Sequence, residues 1–260
     1  MNPYLDQQQF YRQQRSFRIK IYVGASILLL VLMLILYILV YSPIFQVRDF
    51  NISGNDRLPK NEVVKILEPL VLRDKIKNFL GIKNLLAWNT DNPDVSKTAL
   101  ALANIKRDWI RQSVNIDIKE RERLAIWCDK NNNCYWIDRE GTAFEEAPQT
   151  EGQLILTVRD QATETVIKGT KVIEDRFVKN LVRILNGILE FKMSVKRIAF
   201  DKKLQELRLE TYPGPDFLFS VRFDPILNLA SLKSLQEKIE LKGIKYFDLR
   251  VENRIYYKNL

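Results

Sequence analysis

Two cysteines, Cys128 and Cys134, are the residues whose type and spacing most directly suggest a covalent reaction. They bracket the polar stretch 129–133, and they could lie opposite each other on a hairpin. The pair would then be either a disulfide, which an oxidising compartment permits, or two free thiols. Closing so short a loop would stabilise the fold by only about 2 kcal/mol in the chain-entropy model. The spacing leaves both alternatives open.

Most familiar catalytic chemistry is excluded by composition. The chain contains no histidine, so it cannot form a histidine-based triad or an HExxH zinc site, and its two cysteines cannot complete a four-ligand zinc site. Ser-x-x-Lys, Gly-x-Ser-x-Gly and P-loop motifs do not occur. Catalysis by a pair of carboxylates remains an alternative, because the sequence does not show which acidic side chains lie close together in space. We therefore predict a protein that is not an enzyme and holds neither cofactor nor metal, with a membrane-tethered wall hydrolase as the enzymatic alternative.

The overall composition is that of a folded protein. The chain has 260 residues, of which 46% are apolar and 28% charged, and its formal net charge is +9. This length allows one or two domains, and the composition excludes a disordered acidic chain.

A membrane-spanning helix is predicted at residues 21–41. This run of 21 residues has no charged side chain. It would extend about 32 Å, enough to cross the apolar core of a bilayer. A cleaved signal peptide would have a shorter apolar region and a cleavage site with small residues. The run instead ends in Tyr41-Ser-Pro-Ile-Phe45, which favours an uncleaved anchor.

The flanking charges predict the orientation of this anchor. Residues 1–20 carry a net charge of +3, and no basic residue follows the apolar run until Arg48. The positive-inside rule places such a flank in the cytoplasm. We therefore expect residues 1–20 to be cytoplasmic and residues 43–260 to lie outside the plasma membrane, where nucleic acid is not an expected partner.

The first exterior block, up to Arg121, shows the order strand, helix, helix, strand, strand. Residues 45–53 alternate like a strand, and a turn follows at Gly54-Asn55. A helix should begin near Pro59 and end near Glu68, before Pro69. Asp94 is predicted to cap a second helix that runs to Ala103. Residues 114–118 alternate as a half-buried strand.

The second block, residues 122–260, predicts an antiparallel sheet with helices on one side. Residues 124–127 and 135–137 flank the polar loop of the cysteine hairpin. Apolar residues at helical spacing follow at 173–188 and 229–239, and alternating strands are predicted at 207–211, 217–223 and 247–251. The fold class is therefore α+β.

Four motifs in this order resemble the FtsQ/DivIB family of bacterial division proteins. Residues 45–55 are similar to its entry strand and turn, and residues 105–127 to the exit of its POTRA domain. Residues 135–144 resemble its "ID-x-x-G-x-x-F" hairpin, and residues 247–256 its C-terminal "DLR" strand. Ile110 and Arg123 stand where the family commonly has proline.

The resemblance implies a domain order and a function. The order would be a cytoplasmic tail (1–20), a transmembrane helix (21–42), a POTRA domain (43–121) and a β-domain (122–260) that carries a partner-binding strand. The function would be that of a non-catalytic scaffold at the division site, which binds FtsB/FtsL-type bitopic coiled-coil proteins and other divisome proteins and links them to septal cell-wall synthesis. The alternative is another POTRA-bearing protein of envelope assembly or secretion.

The C-terminal strand is the predicted binding surface. Between residues 246 and 258 one face is apolar and the other polar, and the sequence ends soon afterwards. A strand at the edge of a sheet offers open backbone groups for the addition of a partner strand. By position in the family motif, the partner-binding residues would be Arg250, Val251 and Asn253, with Ile255 and Tyr256 as apolar support. Arg250 would select an acidic group of the partner; in the alternative interpretation this is merely the last core strand.

A basic segment and the tryptophans leave further alternatives. Residues 73–83 hold four basic side chains and one acid, which suits either a solvated loop or contact with lipid headgroups. Trp109, Trp127 and Trp136 could bind a ligand, although aromatic residues in strands are more often part of a core.

Overall fold

A computed structural model describes residues 3–88, 92–149, 155–162, 164–191, 194–236 and 243–260, with side chains from residue 20 onward. Its first element is the helix α1 (Pro3–Tyr41). The stretch Lys20–Tyr41 is 22 residues long, has a mean hydropathy of 3.0, and is long and apolar enough to cross a membrane. Because its apolar side chains are exposed all round, it lacks the buried face of a soluble core helix. These properties agree with the predicted single anchor.

The elements that follow α1, up to Arg121, have the predicted order, but their positions differ. A short 3-10 turn at Pro43–Phe45 takes up the start of the predicted strand. The elements that follow are the strand β1 (Asp49–Ser53), the helices α2 (Lys60–Val71) and α3 (Lys75–Leu80), and the strands β2 (Leu100–Asp108) and β3 (Ser113–Glu120).

Two predictions in this block were wrong. The helix α2 continues through Pro69 to Val71, because a proline in the last turn removes one backbone hydrogen bond while Leu72 N still donates to Glu68 O at 2.8 Å. Asp94 does not cap a helix to Ala103. Its carboxylate accepts from Ser96 N at 3.0 Å in a turn, and Leu100 then begins β2. The second helix is α3.

The first sheet, within the described residues, has the order β1-β3-β2. β1 pairs with β3 in parallel, with Ile52 opposite Ile116. In β3 the side chains of Val114, Ile116 and Ile118 are buried and those between them are mainly exposed, which confirms the predicted alternation.

The turn after β1 requires glycine. Gly54 has φ +79°, and a Cβ atom there would lie 2.0 Å from the carbonyl oxygen of Ile118. The loop that follows is held by Glu120, whose Oε1 accepts from Arg57 N and Leu58 N at 2.9 Å each. Burial raises the pKa of Glu120, but these hydrogen bonds and the Arg57 side chain outweigh it and lower the pKa below its ordinary value.

The second sheet has nine strands among the described residues, in the order β12-β11-β10-β9-β8-β7-β4-β5-β6. In chain order the strands and their two helices are β4 (Ala125–Cys128), β5 (Cys134–Ile137), β6 (Ala143–Glu146), β7 (Thr157–Asp160), α4 (Asp175–Glu190), β8 (Val195–Asp201), β9 (Glu206–Thr211), β10 (Asp216–Ser220), α5 (Ile226–Gln236), β11 (Ile244–Val251) and β12 (Arg254–Asn259). The α+β class is confirmed, but the sheet is mixed.

Two of the parallel pairs follow from helical connections. β7 pairs in parallel with β8, and α4 lies between them in sequence. β10 likewise pairs in parallel with β11 across α5. Parallel neighbours need such a crossover, whereas the remaining hairpin connections produce antiparallel pairs. A third parallel pair joins β4 to β7.

One hydrophobic core lies between this sheet and its helices. Leu181, Ile184 and Ile188 of α4 pack with Phe217, Phe219 and other buried residues of the strands. Leu232 of α5 joins the same core. The helical spacing at 173–188 is therefore confirmed, except that Ile173 precedes the helix. Ile239 and the predicted end of α5 lie outside the described residues.

The chain divides into two compact units. The first comprises Met1–Ser53, Lys60–Pro93 and Asn104–Asp117. The second comprises Gly54–Pro59, Asp94–Ala103 and Ile118–Leu260. The membrane-length helix belongs to the first unit, and the large mixed sheet belongs to the second.

Candidate partner-binding edge

The C-terminal segment is a hairpin, whereas the sequence predicted a single strand over 246–258. β11 ends at Val251 and β12 begins at Arg254, with Val251 opposite Arg254 across the turn. Asn253 in this turn has φ 59°, a left-handed conformation that asparagine tolerates better than most residues. The short turn reverses the chain, so the edge strand is β12 and not β11.

β11 has strand partners on both sides. Phe217 of β10 lies opposite Phe247 on one side, and Tyr257 of β12 lies opposite it on the other. Among the described residues the pairing with β10 runs from Tyr246 to Leu249 and stops before Arg250 and Val251, so the role of these two residues in partner binding stays a prediction. The hydrogen-bonding edge that remains is that of β12, which carries Ile255 and Tyr256.

β12 leaves its outer backbone edge without a strand partner in the described part of the chain. Tyr256 is 49% exposed and Tyr257 is 54% exposed. The ring of Tyr257 lies 6.1 Å from that of Phe247, and Ile255 packs against the core. Tyr256 lies beside Asp248 on the opposite face of the sheet. Ile255 and Tyr256 therefore do not form one apolar surface, and a partner strand would contact each from a different face.

The opposite edge of the sheet is protected. Ala143 of β6 donates its backbone N–H to Thr170 O at 2.9 Å and accepts from Gly169 N at 2.6 Å. Thr142 forms a further bridge with Lys171. A covering segment of this kind is a common way to block edge-to-edge association. β12 has no such cover among the described residues, and its protection consists of two register shifts against β11 and the charge of Lys258.

Arg250 is held by carboxylates of its own chain. Its Nη2 lies 2.6 Å from Asp248 Oδ2, and its Nη1 lies 2.9 Å from Glu206 Oε2. Hydrogen bonds from this guanidinium lower the pKa of Asp248, and the same two carboxylates raise the pKa of Arg250. Arg250 is therefore a structural cross-link between β11 and β9, and recruiting an acidic partner group would require it to share these bonds.

Asn228 supports the candidate partner-binding edge, and the sequence analysis did not identify it. This α5 side chain is 2% exposed, and its Nδ2 donates to Leu249 O at 3.1 Å and to Val251 O at 3.2 Å. It thereby anchors the end of β11 immediately before the hairpin turn. The available signal was a polar residue on the same helical face as Leu232 and Leu235 of the predicted helix, because a buried amide needs hydrogen-bond partners.

Cys128 and Cys134 form a disulfide across the β4–β5 hairpin. They are paired residues in the strand register and are 1% and 8% exposed. Asp129 organises the loop between them, since its Oδ1 accepts from Asn131 N and Asn133 N at 2.9 Å each.

Changing both cysteines to serine is expected to lower the free energy of unfolding by about 2 kcal/mol, because the loop they close is short. Thermal or chemical denaturation of the full chain measures this change. Reductant should destabilise the natural chain by a similar amount and leave the double variant unaffected. Intact mass should rise by two hydrogens on reduction; alkylation of both cysteines without reductant would contradict the bond.

The three tryptophans occupy different environments. Trp127 is fully buried, and its Nε1 donates to Asp160 Oδ2 at 3.3 Å. Trp136 is partly buried beneath the guanidinium of Arg123, 5.0 Å from its ring centroid. Trp109 is 45% exposed. The expectation of a core role therefore holds for Trp127 and is wrong for Trp109.

Asp160 is a described carboxylate whose pKa is raised above its ordinary value. Burial raises the pKa of Asp160, although hydrogen bonds from Ala162 N and the indole of Trp127 oppose this effect. These contacts are those of a structural acid that links a strand to a turn. Among the described residues, no group of three or more histidine, cysteine or acidic side chains could hold a metal ion.

Comparison with known proteins adds no family assignment. No protein-family model and no curated protein matches this chain.

Proposed function

We propose that this chain is a membrane-anchored, non-catalytic binding protein that captures a partner strand along β12. The observation that carries this proposal is the outer edge of β12, which has no strand partner among the described residues and has Tyr256 and Tyr257 exposed on its two faces. In strand addition the backbone ladder supplies affinity, and the side chains on both faces select the partner sequence. The membrane-length helix α1 would keep the chain in the same membrane as such partners.

The partner class is proposed from the family resemblance. Residues 45–55, 105–127, 135–144 and 247–256 carry motifs similar to those of FtsQ/DivIB proteins. On that basis the partner would be an FtsB/FtsL-type bitopic coiled-coil protein, and the function would be to link the division machinery to septal cell-wall synthesis. The strand, helix, helix, strand, strand order of the first exterior block is compatible with the proposed POTRA-type domain at 43–121.

The proposed topology follows from charge. The +3 flank of residues 1–20 favours a cytoplasmic N-terminus, and the sheet would then lie on the outer side of the plasma membrane. A disulfide at Cys128–Cys134 suits an oxidising exterior.

Site-specific photo-crosslinking tests the proposed function. A photoreactive amino acid at Tyr256 in the full chain, expressed in dividing bacteria, is expected to crosslink a small bitopic coiled-coil protein. The matched control is Tyr212, a tyrosine that is 68% exposed on the turn between β9 and β10. Equal crosslinking from both positions, or no product of this class from Tyr256, would contradict the proposal.

A further inference from the structure

The helix α3 (Lys75–Leu80) carries an apolar face that the protein does not bury. Ile76 is 76% exposed and Phe79 is 70% exposed. At about 100° per residue, Ile76, Phe79 and Leu80 fall within an arc of about 100°. Lys75 and Lys77 border this arc, and Asn78 lies on the opposite side. Such a distribution is typical of a helix that lies in a membrane interface.

This apolar face borders a groove beside the end of α1. The groove has a volume of about 820 Å³, and it is lined by Leu36, Leu39 and Val40 of α1 together with Ile76 and Phe79 of α3. These α1 residues precede the end of the apolar span at Tyr41 by one to five positions, or about 2–8 Å along the helix axis. Interfacial helices are buried to a similar depth, at the boundary between headgroups and acyl chains.

Hydrogen bonds hold the segment after α3 against the end of α1. The Asn84 side chain is 2% exposed, and its Nδ2 donates to Leu39 O at 2.8 Å. On either side of it, Val47 N donates to Lys83 O and Leu85 N donates to Phe45 O, each at 2.7 Å. The groove is therefore a built part of the first unit.

The charges around the groove favour an anionic headgroup. Lys75 and Lys77 line the groove together with Asp74, whose Oδ2 lies 3.8 Å from Lys77 Nζ. Arg73 and Lys83 are exposed at either end of the same segment and add positive charge to it. Basic residues at a membrane surface attract anionic lipids and do not select neutral ones. A groove with apolar walls and a basic rim has the amphipathic pattern of a phospholipid.

A second feature of the same unit also places apolar side chains beside the end of α1. Between β2 and β3, Ile110 is 97% exposed and Trp109 is 45% exposed. The tip is held near the end of α1, since Gln112 Nε2 donates to Pro43 O at 2.7 Å and to Ile44 O at 3.0 Å. Tryptophan is enriched where a protein meets the membrane interface.

We propose that the groove between α3 and the end of α1 binds an anionic phospholipid of the adjacent leaflet. One acyl chain packs between Leu39 and the Ile76–Phe79 face, and the phosphate lies beside Lys75. Arg73 and Lys83 strengthen the positive potential from the same segment. This inference depends on α1 spanning a bilayer and is independent of partner capture at β12, so the two can fail separately.

Quenching by brominated lipids tests the proposal in the full chain. Since Cys128 and Cys134 are bonded to each other, an Ile76→Cys variant offers one reactive thiol for a fluorescent label. Asn78→Cys, on the far side of the same helix, is the matched control. Both labelled proteins are placed in nanodiscs of phosphatidylcholine and phosphatidylglycerol, with bromine on the acyl chains of one lipid or the other.

The label at residue 76 should be quenched at least threefold more than the label at residue 78. Brominated phosphatidylglycerol should quench it at least twofold more per mole fraction than brominated phosphatidylcholine. Reversing Arg73, Lys75 and Lys83 to glutamate should remove this preference while leaving quenching by phosphatidylcholine. Equal quenching of the labels at residues 76 and 78 would overturn the groove as a lipid site. That result is the one expected if another transmembrane helix fills the groove. Equal quenching by both lipids would overturn the anionic selectivity.

Discussion

Replacing Asp138 by alanine is expected to lower the free energy of unfolding by about 3–5 kcal/mol, because it leaves a buried guanidinium without its counter-charge. Arg121 and Asp138 are 8% and 5% exposed, and Arg121 Nη1 donates to Asp138 Oδ2. Arg121 Nε also donates to Leu100 O at 3.0 Å. With its carboxylate partner removed, the remaining charge would stay in a poorly solvated site.

Asp138 has a second role that a matched variant separates from the first. Its Oδ1 accepts from Glu140 N and Thr142 N at 2.9 Å each, which forms the turn before β6. Asp138→Asn can retain these turn bonds while removing the charge. We therefore expect it to lose most of the same stability, whereas a pure turn effect would leave Asp138→Asn close to the natural chain.

Chemical denaturation of the detergent-solubilised chain, followed by tryptophan fluorescence, measures both variants. Glu122→Ala is the control, since its ion pair with Arg139 is exposed on both sides and exposed pairs contribute little. The double variant Arg121→Met, Asp138→Asn should recover much of the loss of Asp138→Asn, because no charge is then left buried and the amide oxygen keeps the turn bonds. A cost for Asp138→Ala no larger than that of Glu122→Ala would refute this assignment.

A proline scan of β12 is expected to abolish partner capture at those positions where proline leaves the fold intact. Successive backbone N–H groups of a strand point to opposite sides. At some positions of Arg254–Asn259 the N–H faces β11, and at others it faces outward. Proline removes the N–H in either case. Proline at a position whose N–H faces β11 should destabilise the hairpin. Proline at a position whose N–H faces outward should remove only a backbone hydrogen bond to the partner strand.

The measurement compares two quantities for each of Ile255, Tyr256, Tyr257 and Lys258. Thermal unfolding reports on the fold, and crosslinked or co-purified partner reports on capture. Variants that unfold like the natural chain should retain less than about one-tenth of its capture. Neighbouring positions differ in the direction of the N–H and in the face that carries the side chain, so an alanine at each position serves as the control for its proline. Full capture by every stably folded proline variant would exclude strand addition at β12.

The hairpin also changes which substitutions are informative. Proline at Asn253 would conflict with its φ of 59°, and proline at Val251 would disturb the start of the hairpin turn, where Val251 pairs with Arg254. Arg250→Glu would place a third carboxylate beside Asp248 and Glu206. Each of these changes would perturb the fold, so loss of capture in any of them would say little about the edge.

Local periodicity determined much of the architecture. The all-apolar run at 21–41, the alternation at 114–118 and the helical spacing at 177–188 identified their elements, because each pattern reflects burial within a single segment. The predicted boundaries were wrong where they depended on one residue. Pro69 lies in the last turn of a helix that packing preserves, and Asp94 caps a turn in place of a helix.

Long-range pairing was decided only by the tertiary structure. The sequence motifs around Arg121 and Asp138 showed no sign that these two side chains meet, because an ion pair between distant segments leaves no periodic pattern. The same holds for Arg250, whose carboxylate partner Glu206 lies on another strand. The alternation at 246–258 was compatible with one strand or two, since a two-residue turn hardly interrupts it. Only the pairing of β11 with both β10 and β12 placed the open edge at Arg254–Asn259.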